Sequence, residues 1–259
     1  MTGNHSFISE NVLLSSPKSH INTGFSSCTT IARKDLSMSL ILANVRSICN
    51  KLDILKLFLV DHRLDILAVT ESWGRPALLD AFLTLDNYTL FRQDRCDRFG
   101  GGVFLLVRKD LRPSYFPTFN RSDVFEDSIW CTIPVSSSKR LLIGCLYRSP
   151  SSSPLNNNRL VDLFDNVAAE QIDYKVLVGD FNCPDINWDL MSSSTSSQFL
   201  LDSCSNNFFT QLVNTPTRGN HILDLIFVND VTFVSDILVG DSFPGSDHET
   251  VSCSLIFDP

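Results

Sequence analysis

Two short strings, "GDFN" at 179–182 and "SDH" at 246–248, bring carboxylates, a carboxamide and an imidazole into close succession. Asp180 and Asn182 follow the apolar run "KVLV", and Asp247 and His248 stand just before "VSCSLIF". Other apolar runs meet polar residues in the same way: Asn44 ends "SLILAN", Glu71 follows "DILAVT", Tyr147 ends "LLIGCLY", and Asp224 sits within "HILDLIFVN". Strand ends in sheet proteins deliver side chains to a common rim where ligands bind. The set suits hydrolysis of a phosphodiester. That reaction needs a water made nucleophilic, charge neutralised on the phosphoryl oxygens and a stabilised leaving oxyanion. Hard oxygen ligands such as Glu71 and Asn44 suit Mg²⁺, with Mn²⁺ as the alternative, and no His/Cys cluster points to zinc.

Each residue taken singly has a plainer reading. Asn44, Asp180 and Asn182 are residue types that bond their own backbone in turns. Glu71 reads equally as a solvated strand end and Tyr147 as a core aromatic with a satisfied hydroxyl. Asp224 lies between Leu223 and Leu225, so strand alternation alone puts it on a polar face. A lone His248 is ordinarily structural. Independent turns, however, have no reason to supply metal-type carboxylates, carboxamides, a phenol and an Asp–His pair together.

Positioning these groups requires strands. "SLILANVRS" reads as a strand, "NKLDILKLFLVDHR" as an amphipathic helix and "DILAVTESW" as a second strand, a β-α-β opening. Downstream, "TLFRQD", "GGVFLLVRK", "SIWCTIPV", "LLIGCLY", "KVLVGDFN", "HILDLIFVN" and "VSCSLIF" are strand-like, and "NNRLVDLFDNVAAEQ" and "SQFLLDSCSNN" fit helices. Residues 1–37 are rich in Ser, Thr and Asn without periodicity and read as a flexible tail. The expected organisation is that tail followed by one α/β domain of stacked sheets over 38–257.

A net charge of −8 disfavours a broad basic nucleic-acid face but suits a cation-binding site. The stretch from Arg92 to Arg112 carries six basic and three acidic residues, either solvated charge or a phosphate-tracking patch. Eight cysteines without a C-x-x-C pair, several in apolar runs, fit a reduced intracellular protein, and no apolar run is long enough to span a bilayer. No membrane association and no clear targeting signal are expected.

The strings "NVRSICNKL", "DILAVTESW", "GGVFLLVRK", "LYRSP", "GDFNCPDINW", "ILDLIFVN" and "SDH", in that order, resemble the endonuclease/exonuclease/phosphatase superfamily. Its members include pancreatic DNase and the apurinic/apyrimidinic endonucleases. The likeness is greatest to the endonuclease domain of LINE-type (non-LTR) retrotransposons of the jockey or chicken-repeat kind. It implies a DNase-like, four-layered α/β sandwich of two packed mixed sheets flanked by helices. The implied activity is a metal-dependent DNA cut leaving a 3′-hydroxyl that primes reverse transcription, performed in the nucleus. By the same resemblance Glu71 holds the metal with Asn44 beside it, and Asp180, helped by Asn182, positions or deprotonates the attacking water. Tyr147 donates to the phosphate. Asp224 orients His248, which contacts the scissile phosphate or acts as the base. Asp247 is a metal or leaving-group ligand, Thr217 braces the site, and Arg46, Thr217 and Arg218 are phosphate or DNA contacts. Arg46 stands where apurinic/apyrimidinic endonucleases carry an acid, which favours nicking over abasic-site repair. The sequence has no Tyr/Phe-x-Asp-Asp of a polymerase, so a reverse transcriptase is expected only in a longer element. The alternatives are a phosphatase or phosphodiesterase of the same fold acting on a small ester, and an inactive DNA- or protein-binding remnant.

Overall fold

A computed structural model describes residues 36–74, 85–95, 100–119 and 124–258. The proposed tail falls outside the described residues, except that Leu36 and Ser37 already belong to the first strand. In chain order the strands are β1 (Leu36–Asn44), β2 (Ile66–Thr70), β3 (Tyr88–Gln93), β4 (Val103–Arg108), β5 (Ser114–Tyr115) and β6 (Ser128–Pro134). They continue with β7 (Arg140–Tyr147), β8 (Tyr174–Asp180), β9 (Thr210–Gln211), β10 (Asp224–Val228), β11 (Val234–Ser242) and β12 (Glu249–Phe257). The helices are α1 (Leu52–His62), α2 (Pro154–Ala169) and α3 (Gln198–Asn206).

The strands form two six-stranded sheets, ordered β11-β12-β1-β2-β4-β3 and β5-β6-β7-β8-β10-β9. Each is mixed: β1 and β2 are parallel, as are β7 and β8, and the remaining pairs are antiparallel. A parallel neighbour needs a long crossover, which α1 supplies in the first sheet and α2 in the second.

Alternation along the strands explains the layering. In β1, Met38, Leu40 and Leu42 enter the core between the sheets, while Ile41 and Ala43 pack outward with Leu55 and Leu59 of α1. In β8, Val176 and Val178 face inward, and Leu177 packs outward with Leu160, Leu163, Phe164 and Val167 of α2. Strands covered on both faces need apolar residues at every position, hence the continuous runs in the sequence. The result is helix, sheet, sheet, helix, as expected. Five of the six described cysteines are buried free thiols and Cys49 is exposed.

Two expectations about elements change. The strand "HILDLIFVN" begins only at Asp224, so this residue is not mid-strand but opens β10. Strand β11 is absent from the sequence reading. It is an edge strand with two register irregularities and Asp236 at φ 54°, and its turn-type residues mask the strand pattern.

The spacing between β7 and β8 depends on Gly179. A β-carbon there would lie 1.9 Å from the Leu146 carbonyl oxygen, a backbone atom that no rotamer change can move. Gly179→Ala is therefore expected to destabilise the fold by about 3 kcal/mol or more, the upper range for overpacking. Urea unfolding reads this directly, and a loss under about 0.5 kcal/mol would contradict it.

Candidate active site

The topology explains why polar strand ends meet. Because β1 and β2 are parallel and paired, Asn44 lies opposite Thr70, and Glu71 leaves the sheet at the same level. In the second sheet Tyr147 pairs with Asp180 in the parallel register, and antiparallel β10 sets Asp224 opposite Asp180. The start of β10 thus lies beside the end of β8. His248 immediately precedes β12, which pairs with β1.

Asn44 joins the two sheets. Its Nδ2 donates to Glu71 Oε1 and to Asp180 Oδ2, each at 3.0 Å, and its Oδ1 accepts from the Arg46 N–H at 3.1 Å. Glu71 has φ 51°, and its other oxygen accepts from the Trp73 indole at 3.3 Å. Asp180 is fully buried; its Oδ1 accepts from the Asn182 N–H at 3.1 Å, and Asn182 itself has φ 48°. His248 Nδ1 lies 2.7 Å from Asp224 Oδ2, leaving Nε2 at 3.9 Å from Asp180 Oδ2. Thr217 Oγ1 accepts from the N–H groups of Leu223 and Asp224, both at 3.1 Å, and so fixes the start of β10. Among the described residues, none provides a hydrogen-bond partner for the buried Oδ1 of Asp224.

Crowding of like charge shapes the titration. Burial, then Asp224, pushes the Asp180 carboxyl well above its ordinary range, with Glu71 adding to the effect and His248 and the Asn44 hydrogen bond opposing it. Burial works against a charged His248, but the Asp224 hydrogen bond and charge, helped by Asp180, raise its pKa. Burial and the charges of Glu71 and Asp180 raise the Tyr147 pKa, so the phenol keeps its proton. The Arg95 guanidinium stacks 5.5 Å from that ring and pairs with buried Asp127, whose carbonyl accepts from the Tyr147 N–H at 2.9 Å.

Glu71, Asp180 and His248 offer ligand atoms all within 4.8 Å of one another. With the Asn44 carboxamide touching both carboxylates, this oxygen-rich set fits a hard divalent cation. Asp247 is placed differently from the expectation. It accepts from Arg218 Nε and Nη2 at 3.0 and 2.6 Å and lies 3.6 Å from Arg46 Nη1, outside the carboxylate cluster. Burial opposes its ionisation, and Arg218 overcomes this and holds the carboxyl below its ordinary range. Arg46 and Arg218, expected at phosphate, both engage this carboxylate. Of the basic stretch, Arg92, Arg95 and Arg108 pair with Asp94, Asp127 and Asp65, and Arg98 lies outside the described residues.

The sequence reading missed Trp73, which holds Glu71, and Arg148, which holds the turn after β8. The "ESW" string carries the first signal. Nothing in "LYRSP" marks the arginine as buried.

Two stacked sheets bring carboxylates, a carboxamide, a phenol and an Asp–His pair to one rim, an arrangement chemically suited to phosphate-ester hydrolysis. The chain belongs to the endonuclease/exonuclease/phosphatase family, whose profile matches residues 41–248. No curated protein matches the sequence. Solved structures share the fold. The AP endonuclease LMAP from Leishmania major superposes with TM-score 0.69 at 14% identity, over 86% of this chain and 88% of that one. The endonuclease domain of TRAS1, a telomere-specific non-LTR retrotransposon, gives 0.65 at 12%, over 85% and 98%. The 3′ phosphatase NExo from Neisseria, bound to a product DNA hairpin, gives 0.64 at 18%, over 86% and 100%.

Proposed function

We propose that the protein is a Mg²⁺-dependent DNA endonuclease of the LINE retrotransposon type, nicking one strand to leave a 3′-hydroxyl. The observation that carries this reading is the joint built by Asn44, whose single amide group ties Glu71 to buried Asp180 across the two sheets. It supports one cation-binding position beside one base. Glu71, with Asn44 beside it, would hold the ion, which when bound would neutralise charge on the phosphate and lower the pKa of water.

The remaining steps belong to the chain's own groups. Asp180, with its raised pKa, takes a proton from water as the water oxygen bonds to phosphorus. The bond from phosphorus to O3′ breaks, O3′ takes a proton from solvent, and the other product is a 5′-phosphate. The imidazolium form of His248, which Asp224 favours and orients, donates through Nε2 to a phosphoryl oxygen. Tyr147 donates from a phenol that stays neutral at physiological pH. Asn182 holds Asp180 in place. In a longer element the nick primes a reverse transcriptase, which places the work in the nucleus. Among the described residues no helix is long and apolar enough to cross a membrane.

Supercoiled plasmid incubated with Mg²⁺ and with EDTA, beside a small phosphate ester, tests this reading. Nicking with Mg²⁺ and none in EDTA is expected. Ester hydrolysis without nicking would replace DNA by a small substrate, and nicking in EDTA would remove the metal. Binding has its own readout. The crowded carboxylates repel, so millimolar Mg²⁺ or Mn²⁺ is expected to raise the melting temperature by a few degrees, as for any ligand of the native state. No shift at any concentration would remove the cation site.

A further inference from the structure

Arg148 is a charged side chain only 7% exposed, and among the described residues no carboxylate lies within ion-pair distance of it. A buried cation without a counter-ion is costly unless strong hydrogen bonds satisfy it. Its partners are consistent in kind. Nη1 donates to the carbonyls of Phe181 at 3.2 Å and Asn182 at 2.9 Å, and Nε donates to Asn157 Oδ1 of α2 at 2.9 Å. The Phe199 ring of α3 lies 5.5 Å from the guanidinium carbon. The backbone adds two reciprocal bonds: Arg148 N–H donates to the Asp180 carbonyl at 2.8 Å, and the Arg148 carbonyl accepts from Asn182 Nδ2 at 2.9 Å.

Asp180, which ends β8, and the two residues after it are therefore held by one arginine, on the segment where Asn182 takes up a left-handed conformation that costs free energy on its own. The Asn182 N–H on this segment donates to Asp180 Oδ1.

We infer that Arg148 is a positioning residue for the reaction: its planar fork locks the Phe181–Asn182 turn and so fixes the Asp180 carboxylate in its reactive orientation. It acts through the backbone and touches no substrate. Arginine is required because its rigid plane presents Nη1 to both carbonyls while Nε meets Asn157, and a lysine ammonium has no second nitrogen to hold that orientation. Asn157 aims the fork from the first turns of α2, linking the outer helical layer to the site. This assignment rests on the proposed role of Asp180, and its consequence for the turn itself is measurable without any substrate.

The first measurement is amide hydrogen exchange in wild type, Arg148→Met and Arg148→Lys. Arg148→Met keeps the side chain's bulk and orphans both carbonyls. Exchange at the Asn182 amide is expected to accelerate about tenfold or more in this variant, with the amides of β8 unchanged, because only the local opening equilibrium moves. Unchanged Asn182 exchange in both variants overturns the inference, whatever the enzyme's substrate. The second measurement is single-turnover cleavage of plasmid and of a small phosphodiester, with DNA affinity determined in EDTA. A misplaced base slows the chemical step by roughly 10²-fold on both substrates and leaves affinity within about threefold. Arg148→Lys falls between, and guanidinium ion added to Arg148→Ala restores part of the rate. If affinity falls and rate does not, Arg148 is a DNA contact and the inference fails. If wild type hydrolyses only the small diester, the DNA reading fails and the arginine's effect is still read on that substrate.

Discussion

Glu71→Ala is expected to lower Mg²⁺-dependent nicking on the order of 10³-fold, the scale for losing metal-borne charge stabilisation worth several kcal/mol. It is also expected to abolish the rise in melting temperature caused by the ion. Both oxygens of this carboxylate are already oriented, one by Asn44 at 3.0 Å and one by Trp73 at 3.3 Å, so little reorganisation separates the free site from the loaded one. The metal-free variant should melt no lower than wild type. Glu71 contributes repulsion that helps raise the Asp180 pKa, and removing it relieves that repulsion. A carboxyl whose folded pKa is raised destabilises the fold above its ordinary value of 3.8, so the relief appears at neutral pH and fades below that value. Thermal melts of both proteins with Mg²⁺ and with EDTA, beside nicking, separate the two effects. Near-normal nicking by Glu71→Ala, or an undiminished metal-induced shift, would remove Glu71 from the cation site.

The sequence exposes some of this architecture and hides the rest for physical reasons. Strands β1, β2, β7 and β8 are legible because both faces are buried, which forces unbroken apolar runs that end abruptly on polar residues. Strand β11 lies at an edge with one partner and two irregularities, so its residues need not alternate. Asn44 and Asp180 are visible as types, but the hydrogen bond between them spans 136 residues and follows from the packing of two sheets. Asp247 reads as a metal-type carboxylate in "SDH". Its capture by Arg218 depends on the turn before β10, where Arg218 and His221 bridge. Arg148 is hidden most completely, because an arginine among serines and prolines looks like a solvated loop. Sequence types thus identify the chemistry, and register and cross-sheet packing decide which groups share it.

Asp224→Asn and His248→Ala should each cut single-turnover nicking by roughly 10²–10⁴-fold, the range for a positioned acid–base group, and the double variant should be little worse than the worse single. The geometry dictates the non-additivity. Asp224 Oδ2 lies 2.7 Å from His248 Nδ1, while Nε2 is the nitrogen directed toward Asp180, so Asp224 acts through the imidazole. Without the carboxylate the ring loses both its fixed tautomer and the interaction that raises its pKa. The same pair links activity to stability. A histidine whose folded pKa is raised adds stability that is full below its ordinary value of 6.5 and is lost as pH rises through the folded pKa. Asp224→Asn should therefore destabilise the protein more below that value than well above it. Melts of wild type and variant across this range should diverge on the acid side, alongside nicking rates for all four proteins. Losses that multiply, with a stability difference independent of pH, would show that His248 works without Asp224.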